Sequence, residues 1–295
     1  MKKQKHAFAL SEAQQEYRTS EIELQRQSFR RKQTGKSVLI SLVSTLILSG
    51  VIVVILSQSS GWAVVRKTFF SPHYFITALP SVARGLLVNI EILLFAAVGV
   101  AVLSTVVALA RTLQGPVMFP IRFLAAAYTD LFRGIPLLLV LFLVGFGVPG
   151  LGLFGRIPAV LLGWVALVIN YSAYVAEVIR AGIMSVHPSQ RAAARSLGLT
   201  YGQTMRLVVL PQAIRKVIPP LMNDFVALQK DVGMVSVLGV MDAVRMAQIQ
   251  VAHSFNYTPY VVAACLFIAM SWPVIRLTDW YSERRRRREE SSGVV

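Results

Sequence analysis

The sequence predicts an all-α integral membrane protein with about six transmembrane helices. Of its 295 residues, 55% are hydrophobic and only 15% are charged, which is too apolar for a soluble domain. The apolar residues are grouped in runs of about 20, the length at which a helix crosses the hydrocarbon of a bilayer. Lys and Arg lie between these runs and at the two ends, so the net charge of +16 reflects membrane topology and not a nucleic-acid-binding face.

The N-terminal part of the chain is predicted to be a polar tail followed by one membrane helix. Residues 1–37 mix basic residues with glutamates, which is typical of either a frayed tail or a surface helix. Residues 38–57 form an apolar run longer than the core of a signal peptide, so we expect a retained transmembrane helix. The aromatic-rich stretch Ser57–Arg84 is predicted to be an interfacial loop.

The second and third spans are predicted on either side of a break that contains glycine and proline. They cover Leu86–Ala110 and Ile121–Phe146. Pro136 removes a helical hydrogen bond and should kink the third span. Asp130 and Arg133 lie three residues apart and are expected to pair on one face of it.

The fourth predicted span, Pro158–Ile179, carries a polar face. Asn170, Tyr174 and Glu177 follow one another at steps of four and three residues, which places them on one side of a helix. Inside a membrane such a face points either at a water-lined solute path or at a neighbouring helix, where the side chains satisfy one another. In the first interpretation a carboxylate pairs with an ammonium or guanidinium group. Two more polar residues are candidates for the same path: Asn89 and Asp231.

The C-terminal third is predicted to hold two more spans. Val217–Val240 carries prolines, a glycine and charged residues, so we expect it inside the helix bundle. Asp242–Thr258 is predicted to be a polar loop, and Tyr260–Leu277 the last span. Cys265 is the single cysteine, which excludes a disulfide within the chain, and it is expected to be a small buried side chain. Residues 281–295 form a basic tail that anchors the topology at the headgroups.

A basic island, Ser185–Pro220, interrupts the apolar runs. With six spans, this island, the N-terminal tail and the C-terminal tail all fall on the same side of the membrane. The positive-inside rule assigns that side to the cytoplasm, so both termini are predicted to be cytoplasmic.

The basic island itself is predicted to be a short helix, a glycine turn and a second helix. Pro188 suits the first turn of the short helix, and Gly198 stands where a left-handed cap would end it. Thr200 and Gln203 fit a capping box of the second helix, which Pro211 should interrupt. This arrangement suits either DNA or another protein. Because a membrane span begins within about a dozen residues on each side, a recognition helix could not reach the floor of a major groove, and we exclude nucleic acid.

No catalytic centre is indicated. The sequence holds no G-x-x-x-x-G-K-[ST] phosphate loop, and its four histidines have no metal-ligand spacing. No set of Ser, His and Asp suggests a nucleophile and its base. We therefore predict neither enzyme activity nor a metal or cofactor bound by this chain.

The stretch from Asn170 to Leu238 resembles the membrane subunit of polar amino acid ATP-binding-cassette (ABC) importers, the type I importer permeases. Their cytoplasmic signature is Glu-Ala-Ala, three residues, Gly, nine residues, Ile or Val, one residue, and Leu-Pro. Here it is matched by Ala192-Ala193-Ala194, Gly198, Val208 and Leu210-Pro211. The other similar segments are Arg133–Leu137, Ala173–Glu177 with Arg180, Pro211–Ala213, Pro219-Pro220, Lys230-Asp231 and Val235-Ser236.

The sequence departs from the family pattern at four places. Ala192 stands where the family usually has Glu, so an ion pair to the ATPase subunit is absent or replaced. Val140 stands in place of a Gln, Val232-Gly233 in place of Thr-Ser, and Asn89 in place of a common Thr. These differences concern the choice of solute more than membership of the family.

The resemblance implies a five-helix type I ABC importer core over residues 85–280, to which the N-terminal helix at 38–57 is an addition. It implies a permease subunit in a bacterial cell membrane that forms the path for a polar amino acid. Residues 185–211 would be the cytoplasmic coupling loop that docks on a separate ATPase. Its contact residues would be Arg191, Ala192, Ala193, Ala194, Arg195, Leu197, Gly198, Leu210 and Pro211.

The resemblance also implies a set of partners. These are a pair of ATPase subunits that bind ATP and Mg²⁺, a second permease subunit of the same or a different kind, and an extracytoplasmic solute-binding protein. Closure of the ATPase pair on ATP would pull both coupling helices and move the spans between outward and inward states. Two alternatives stay open: a type I importer for another small solute, and a secondary transporter or channel that works alone.

Overall fold

The computed structural model describes residues 21–113, 115–153 and 155–291, and every regular element within these ranges is helical. They fall into two units that divide between Val65 and Arg66. The first unit contains α1 (Glu21–Gln58), in which residues 37–55 are apolar enough to cross a membrane. The predicted N-terminal tail is therefore helical from Glu21 onward, and residues 1–20 lie outside the described residues.

Nine further helices follow α1 in the described part of the chain. They are α2 (Trp62–Phe69), α3 (Pro72–Thr112), α4 (Phe119–Gly134), α5 (Leu137–Gly150), α6 (Ala159–Met184), α7 (Pro188–Ser196), α8 (Tyr201–Leu238), α9 (Ala243–Ser254) and α10 (Thr258–Ser291). Four stretches are long and apolar enough to be membrane spans, and there are six if the bent pairs α4–α5 and α8–α9 each count as one. The predicted all-α fold with about six spans is confirmed.

The stretch Ser57–Arg84 is helical over most of its length, so the prediction of a loop is wrong. Residues 62–69 form α2, and α3 begins at Pro72, where a proline costs no helical hydrogen bond. Pro80 lies inside α3 without ending it. The aromatic residues that suggested an interfacial loop are accommodated within helices. α3 is therefore much longer than the predicted span Leu86–Ala110.

The third predicted span is broken and not merely kinked. The axes of α4 and α5 differ by 107°. Ile135 has an extended backbone (φ −103°, ψ 129°), the conformation that a following proline imposes, and Pro136 caps the start of α5. Asp130 and Arg133, which were expected to pair, are both exposed, and within the described residues no ion pair joins them.

Pro211 does not interrupt the second helix of the basic island, contrary to prediction. The turn before it, Met205–Val209, widens into a π-helix, and α-helix resumes at Leu210. Proline has no N–H to donate to a carbonyl in the preceding turn. The π turn changes which backbone N–H groups bond to those carbonyls, so the helix continues past Pro211. α8 also continues through Pro219 and Pro220 before it closes as a 3₁₀ helix over residues 232–238.

The segment Asp242–Thr258, predicted to be a polar loop, is mostly the helix α9. Asp242 is its N-cap and accepts a hydrogen bond from the Arg245 backbone N–H at 2.8 Å. The polar residues that suggested a loop lie on a helix in which Ala243, Ala247 and Val251 are buried.

The main apolar core lies among α3, α6 and α8. It includes Ile92, Val100, Leu167, Val175 and Leu228. The expectation that residues 217–240 lie inside the bundle agrees with this core. Cys265 on α10, in contrast, is exposed and not buried as expected, because an apolar run in a membrane helix can face lipid as well as protein.

Candidate coupling elbow and solute path

α7 begins with a proline and a local side-chain cap. His187 is the N-cap residue, and its Nδ1 accepts a hydrogen bond from the Ser189 backbone N–H at 3.2 Å. Pro188 occupies the first helical position, as the sequence predicts.

The turn after α7 is fixed by Gly198, whose φ is +82°. The Gly198 N–H donates to the Arg195 carbonyl at 2.9 Å, and the Leu199 N–H donates to the Ala194 carbonyl at 3.2 Å. These two bonds form a Schellman motif, which needs a left-handed residue at this position. Thr200 and Gln203 then form the predicted capping box that starts α8. We call residues 187–204 the elbow.

Two cations, Arg191 in the elbow and Lys216 on α8, bind the C-terminal end of α6. The guanidinium of Arg191 donates to the Ile183 carbonyl, and Nζ of Lys216 donates to the Ser185 carbonyl at 3.0 Å. Positive charge at a helix C-terminus is favourable, and here it adds donors for carbonyls in the last turn of the helix. A small apolar cluster completes the junction: Ile183, Val186, Val209 and Ala213.

The residues predicted to contact an ATPase divide into two groups. The exposed group is Ala192, Ala193, Arg195, Leu197, Gly198 and Pro211. Leu197 is 83% exposed, so its apolar side chain is accessible to a partner. Ala194 is buried, while Arg191 and Leu210 are partly buried, so these three residues hold the elbow together more than they present a surface.

Asn170 and Tyr174 bind the broken end of α4. Nδ2 of Asn170 donates to the Phe132 carbonyl at 3.0 Å, and the Tyr174 hydroxyl donates to the Arg133 carbonyl at 3.1 Å. The break after Gly134 removes the helical donors for these carbonyls, and α6 supplies replacements. Both side chains therefore connect helices.

Glu177 lies between two arginines. Its Oε2 is 2.5 Å from Nη1 of Arg111, at the end of α3, and its Oε1 is 2.6 Å from Nη2 of Arg180, on the same helix. The exposed fractions of the Arg111, Glu177 and Arg180 side chains are 13%, 21% and 33%. A carboxylate in this position is neutralised within the protein.

Asn89 and Asp231 lie in two further, separate contacts. Nδ2 of Asn89 donates to Oδ2 of Asp242 at 3.0 Å. Asp231 accepts a hydrogen bond from the Tyr171 hydroxyl at 2.7 Å. The five residues predicted for the solute path thus do not converge on one site, and their contact with a solute stays a prediction.

A cleft among α3, α6 and α8 contains a carboxylate that the sequence analysis did not single out. Its volume is about 260 Å³, and its lining is apolar apart from Ser104, Thr105, Tyr171 and Asp224. Oδ2 of Asp224 is buried and has no hydrogen-bond partner among the described residues. The signal was present in the sequence: Leu221, Asp224 and Leu228 follow helical spacing, so an acid interrupts an apolar stripe.

A cleft among membrane helices and a capped elbow at the end of one of them are features that a transport protein of the permease class requires. The chain belongs to the family described as the binding-protein-dependent transport system inner membrane component, whose sequence profile matches residues 117–287. It is therefore a multi-pass membrane permease.

Two relatives from Bacillus subtilis (strain 168) show the similarity in sequence. The "Probable glutamine ABC transporter permease protein GlnM" is 40% identical over 177 residues, which are 60% of this chain and 80% of that protein. The "Arginine transport system permease protein ArtQ" is 34% identical over 196 residues, which are 66% of this chain and 88% of that protein.

Solved structures show the similarity in fold. A protein in the "crystal structure of an amino acid ABC transporter with histidines" is 36% identical and superposes with a TM-score of 0.65, covering 71% of this chain and 96% of that chain. An inward-facing structure of the MetNI methionine ABC transporter gives a TM-score of 0.57 at 16% identity over the same shares. The type I importer permease fold implied by the resemblance is confirmed.

Proposed function

We propose that this permease carries a polar amino acid past Asp224, whose carboxylate acts as the counter-ion of a cationic group on the solute. The supporting observation is the buried, unpartnered Oδ2 of Asp224 in an otherwise apolar cleft. A carboxylate in such surroundings is costly unless a ligand supplies the opposite charge. Every amino acid brings an ammonium group, arginine brings a second, permanent cation, and histidine brings one when its imidazole is protonated. Relatives whose names mention arginine, glutamine and histidines support an amino acid as the solute.

The elbow is, on this proposal, the element through which a separate ATPase drives the transport cycle. A short helix with exposed Leu197 at its end is suited to a surface groove on a partner. Ala192 stands on the exposed side, so docking rests on apolar packing there and not on the acidic residue that the family usually has. ATP and Mg²⁺ would be bound by the ATPase, and this chain would hold no cofactor of its own.

The remaining partners follow from the same family. Two permease subunits, identical or different, would face each other across the path, and a solute-binding protein would deliver the amino acid from the outer side. The elbow and both termini would then lie in the cytoplasm, as the distribution of Lys and Arg predicts. The helix over residues 38–57 would be an addition to the five-helix core of residues 85–280.

The test is uptake into vesicles that contain the permease with its ATPase and binding protein. Asp224→Asn should raise the apparent KM by about tenfold, because it removes a charge that is desolvated with the solute. If arginine and histidine are affected but glutamine is not, Asp224 binds a side-chain cation. If all three are affected alike, it binds the α-ammonium group.

Asp279→Asn is the matched control, since Asp279 is also an acid on a membrane helix but is 62% exposed. It should leave uptake unchanged. Wild-type KM values for every amino acid in Asp224→Asn would rule out the counter-ion role. Vesicles that accumulate solute without any ATPase would overturn the importer function itself.

A further inference from the structure

We infer that Arg111, Glu177 and Arg180 form a clamp that holds α3 and α6 together throughout the transport cycle, so that these two helices and the elbow move as one body. The inference rests on the proposed function, in which the elbow receives the movement of the ATPase. It makes Glu177 a positioning residue that transmits movement, in place of the solute contact that the sequence suggested.

The position of Glu177 on α6 separates it from the solute cleft. α6 contributes Tyr171, Val175 and Ile179 to the lining of that cleft, at steps of four residues along one face. Glu177 is two residues from both Val175 and Ile179, which is about 200° around an α-helix. It therefore projects from the side of α6 away from the cleft, toward the end of α3.

The contacts of Glu177 are those of a structural ion cluster. Arg111 reaches one carboxylate oxygen across the helix interface at 2.5 Å. Arg180 holds the carboxylate from its own helix with two contacts, at 2.6 Å and 3.1 Å. With Arg111 only 13% exposed, separating the helices would take its partly desolvated guanidinium away from the carboxylate that neutralises it, which is unfavourable.

The clamp continues without a break into the elbow. α6 is a regular helix from Ala159 to Met184, and the cations of Arg191 and Lys216 fix its end to the elbow and to α8. The apolar core also joins α3 to α6 along their length. Of the two bent helix pairs found in the described residues, α4–α5 has the larger angle, 107° against 50° for α8–α9, so we place the moving joint between α4 and α5 and not between α3 and α6.

The functional test uses the permease reconstituted with its ATPase and binding protein. Glu177→Gln and Arg111→Gln should each lower the amount of amino acid moved per ATP hydrolysed by about tenfold, with the apparent KM unchanged. The charge-swapped double variant Arg111→Glu with Glu177→Arg should recover only part of this loss, because it restores the pair between α3 and α6 but places a like charge beside Arg180. Arg180→Gln should have a smaller effect, because its contact lies within one helix.

The matched control is Arg276→Gln, which breaks an i,i+3 ion pair with Asp279 whose side chains are 65% and 62% exposed. It should leave the solute-to-ATP ratio at the wild-type value. A raised KM with a normal ratio in Glu177→Gln would show that Glu177 contacts the solute, and a normal ratio with a normal KM would show that the cluster is not needed; either result overturns the clamp.

A distance measurement tests the clamp even if the solute is not an amino acid. Spin labels at Leu109 on α3 and Met184 on α6, both exposed, are placed in a Cys265→Ser background in complex with the ATPase. The distance between them should stay the same with and without bound ATP. A change on ATP binding would show that α3 and α6 separate and would overturn the inference, whereas a wild-type assembly that moves no amino acid would count against the proposed function alone.

Discussion

Asn89 and Asp242 are hydrogen-bonded at 3.0 Å although 153 residues separate them in the sequence, and neither has any exposed surface. The Asn89 amide makes a second hydrogen bond, in which its Oδ1 accepts the backbone N–H of Ala243 at 3.0 Å. The amide of Asn89 thus binds both the N-cap side chain and the first helical N–H of α9. This small network fixes the start of α9 against α3.

Replacing Asn89 with leucine should destabilise the protein. The substitution keeps the side chain's approximate volume but leaves Asp242 and the Ala243 N–H with fewer partners in a buried place. A buried polar group without its partner costs about 1 to 3 kcal/mol, so the two together should cost on the order of 3 kcal/mol. The midpoint of thermal unfolding of the detergent-solubilised permease measures this loss.

Glu91→Gln provides the comparison for Asn89→Leu, because Glu91 lies on the same turn of α3 but is exposed. We expect its unfolding midpoint to match that of the wild type. An Asn89→Leu protein that melts with the wild type would show that the network contributes no stability.

Gly85 allows α3 and α9 to approach each other closely enough for this network to form. A Cβ at Gly85 would lie 2.5 Å from the carbonyl carbon of Asp242 and 2.6 Å from the Ala243 nitrogen, both of them backbone atoms that cannot turn aside. Gly85→Ala should therefore push α9 away and cost about 1 to 3 kcal/mol. The same thermal measurement should show the loss, together with faster hydrogen exchange at the start of α9.

Gly147→Ala is the matched substitution for Gly85→Ala. Gly147 has an ordinary helical φ of −68°, and a Cβ there would meet no atom within 4 Å. An alanine at Gly147 should leave stability unchanged or slightly raise it. Equal effects of the two alanines would contradict the close-approach argument.

The sequence predicted those parts of the structure that depend on neighbours along the chain. The Gly198 turn and the Thr200–Gln203 capping box are local, since each needs a particular residue type at a fixed offset, and both were found where expected. The apolar runs likewise predicted the membrane helices, because their length is set by the thickness of the bilayer. No pattern of nearby residues in the sequence indicates the hydrogen bond between Asn89 and Asp242, because 153 residues separate them.

The sequence predicted which polar residues share a helix face more reliably than it predicted which neighbouring helices those residues contact. Asn170, Tyr174 and Glu177 do lie on one helix, but they meet α4 at one level and α3 at another, because the neighbouring helix changes along α6. Hydropathy also does not distinguish lipid from protein, which is why Cys265 was wrongly expected to be buried. Asp224 was overlooked because the sequence pattern around an isolated acid is the same whether its carboxylate faces a cleft or pairs with a cation of the protein.

The conformation of the elbow depends on the left-handed backbone of Gly198. At a φ of +82° an L-residue is strained by about 1 to 2 kcal/mol, and the two hydrogen bonds of the Schellman motif hold it there. Gly198→Asp should straighten or displace α7, so that ATPase copurification and ATP-dependent transport are lost while the amount of protein in the membrane stays normal.

Gly202→Ala, four residues later in the first turn of α8, is the control, since a Cβ there meets no atom within 4 Å and no left-handed conformation is needed. Normal transport by Gly198→Asp would mean that the ATPase does not act through this turn, whereas a loss in both variants would indicate a general sensitivity of the segment and not a specific role for the left-handed residue.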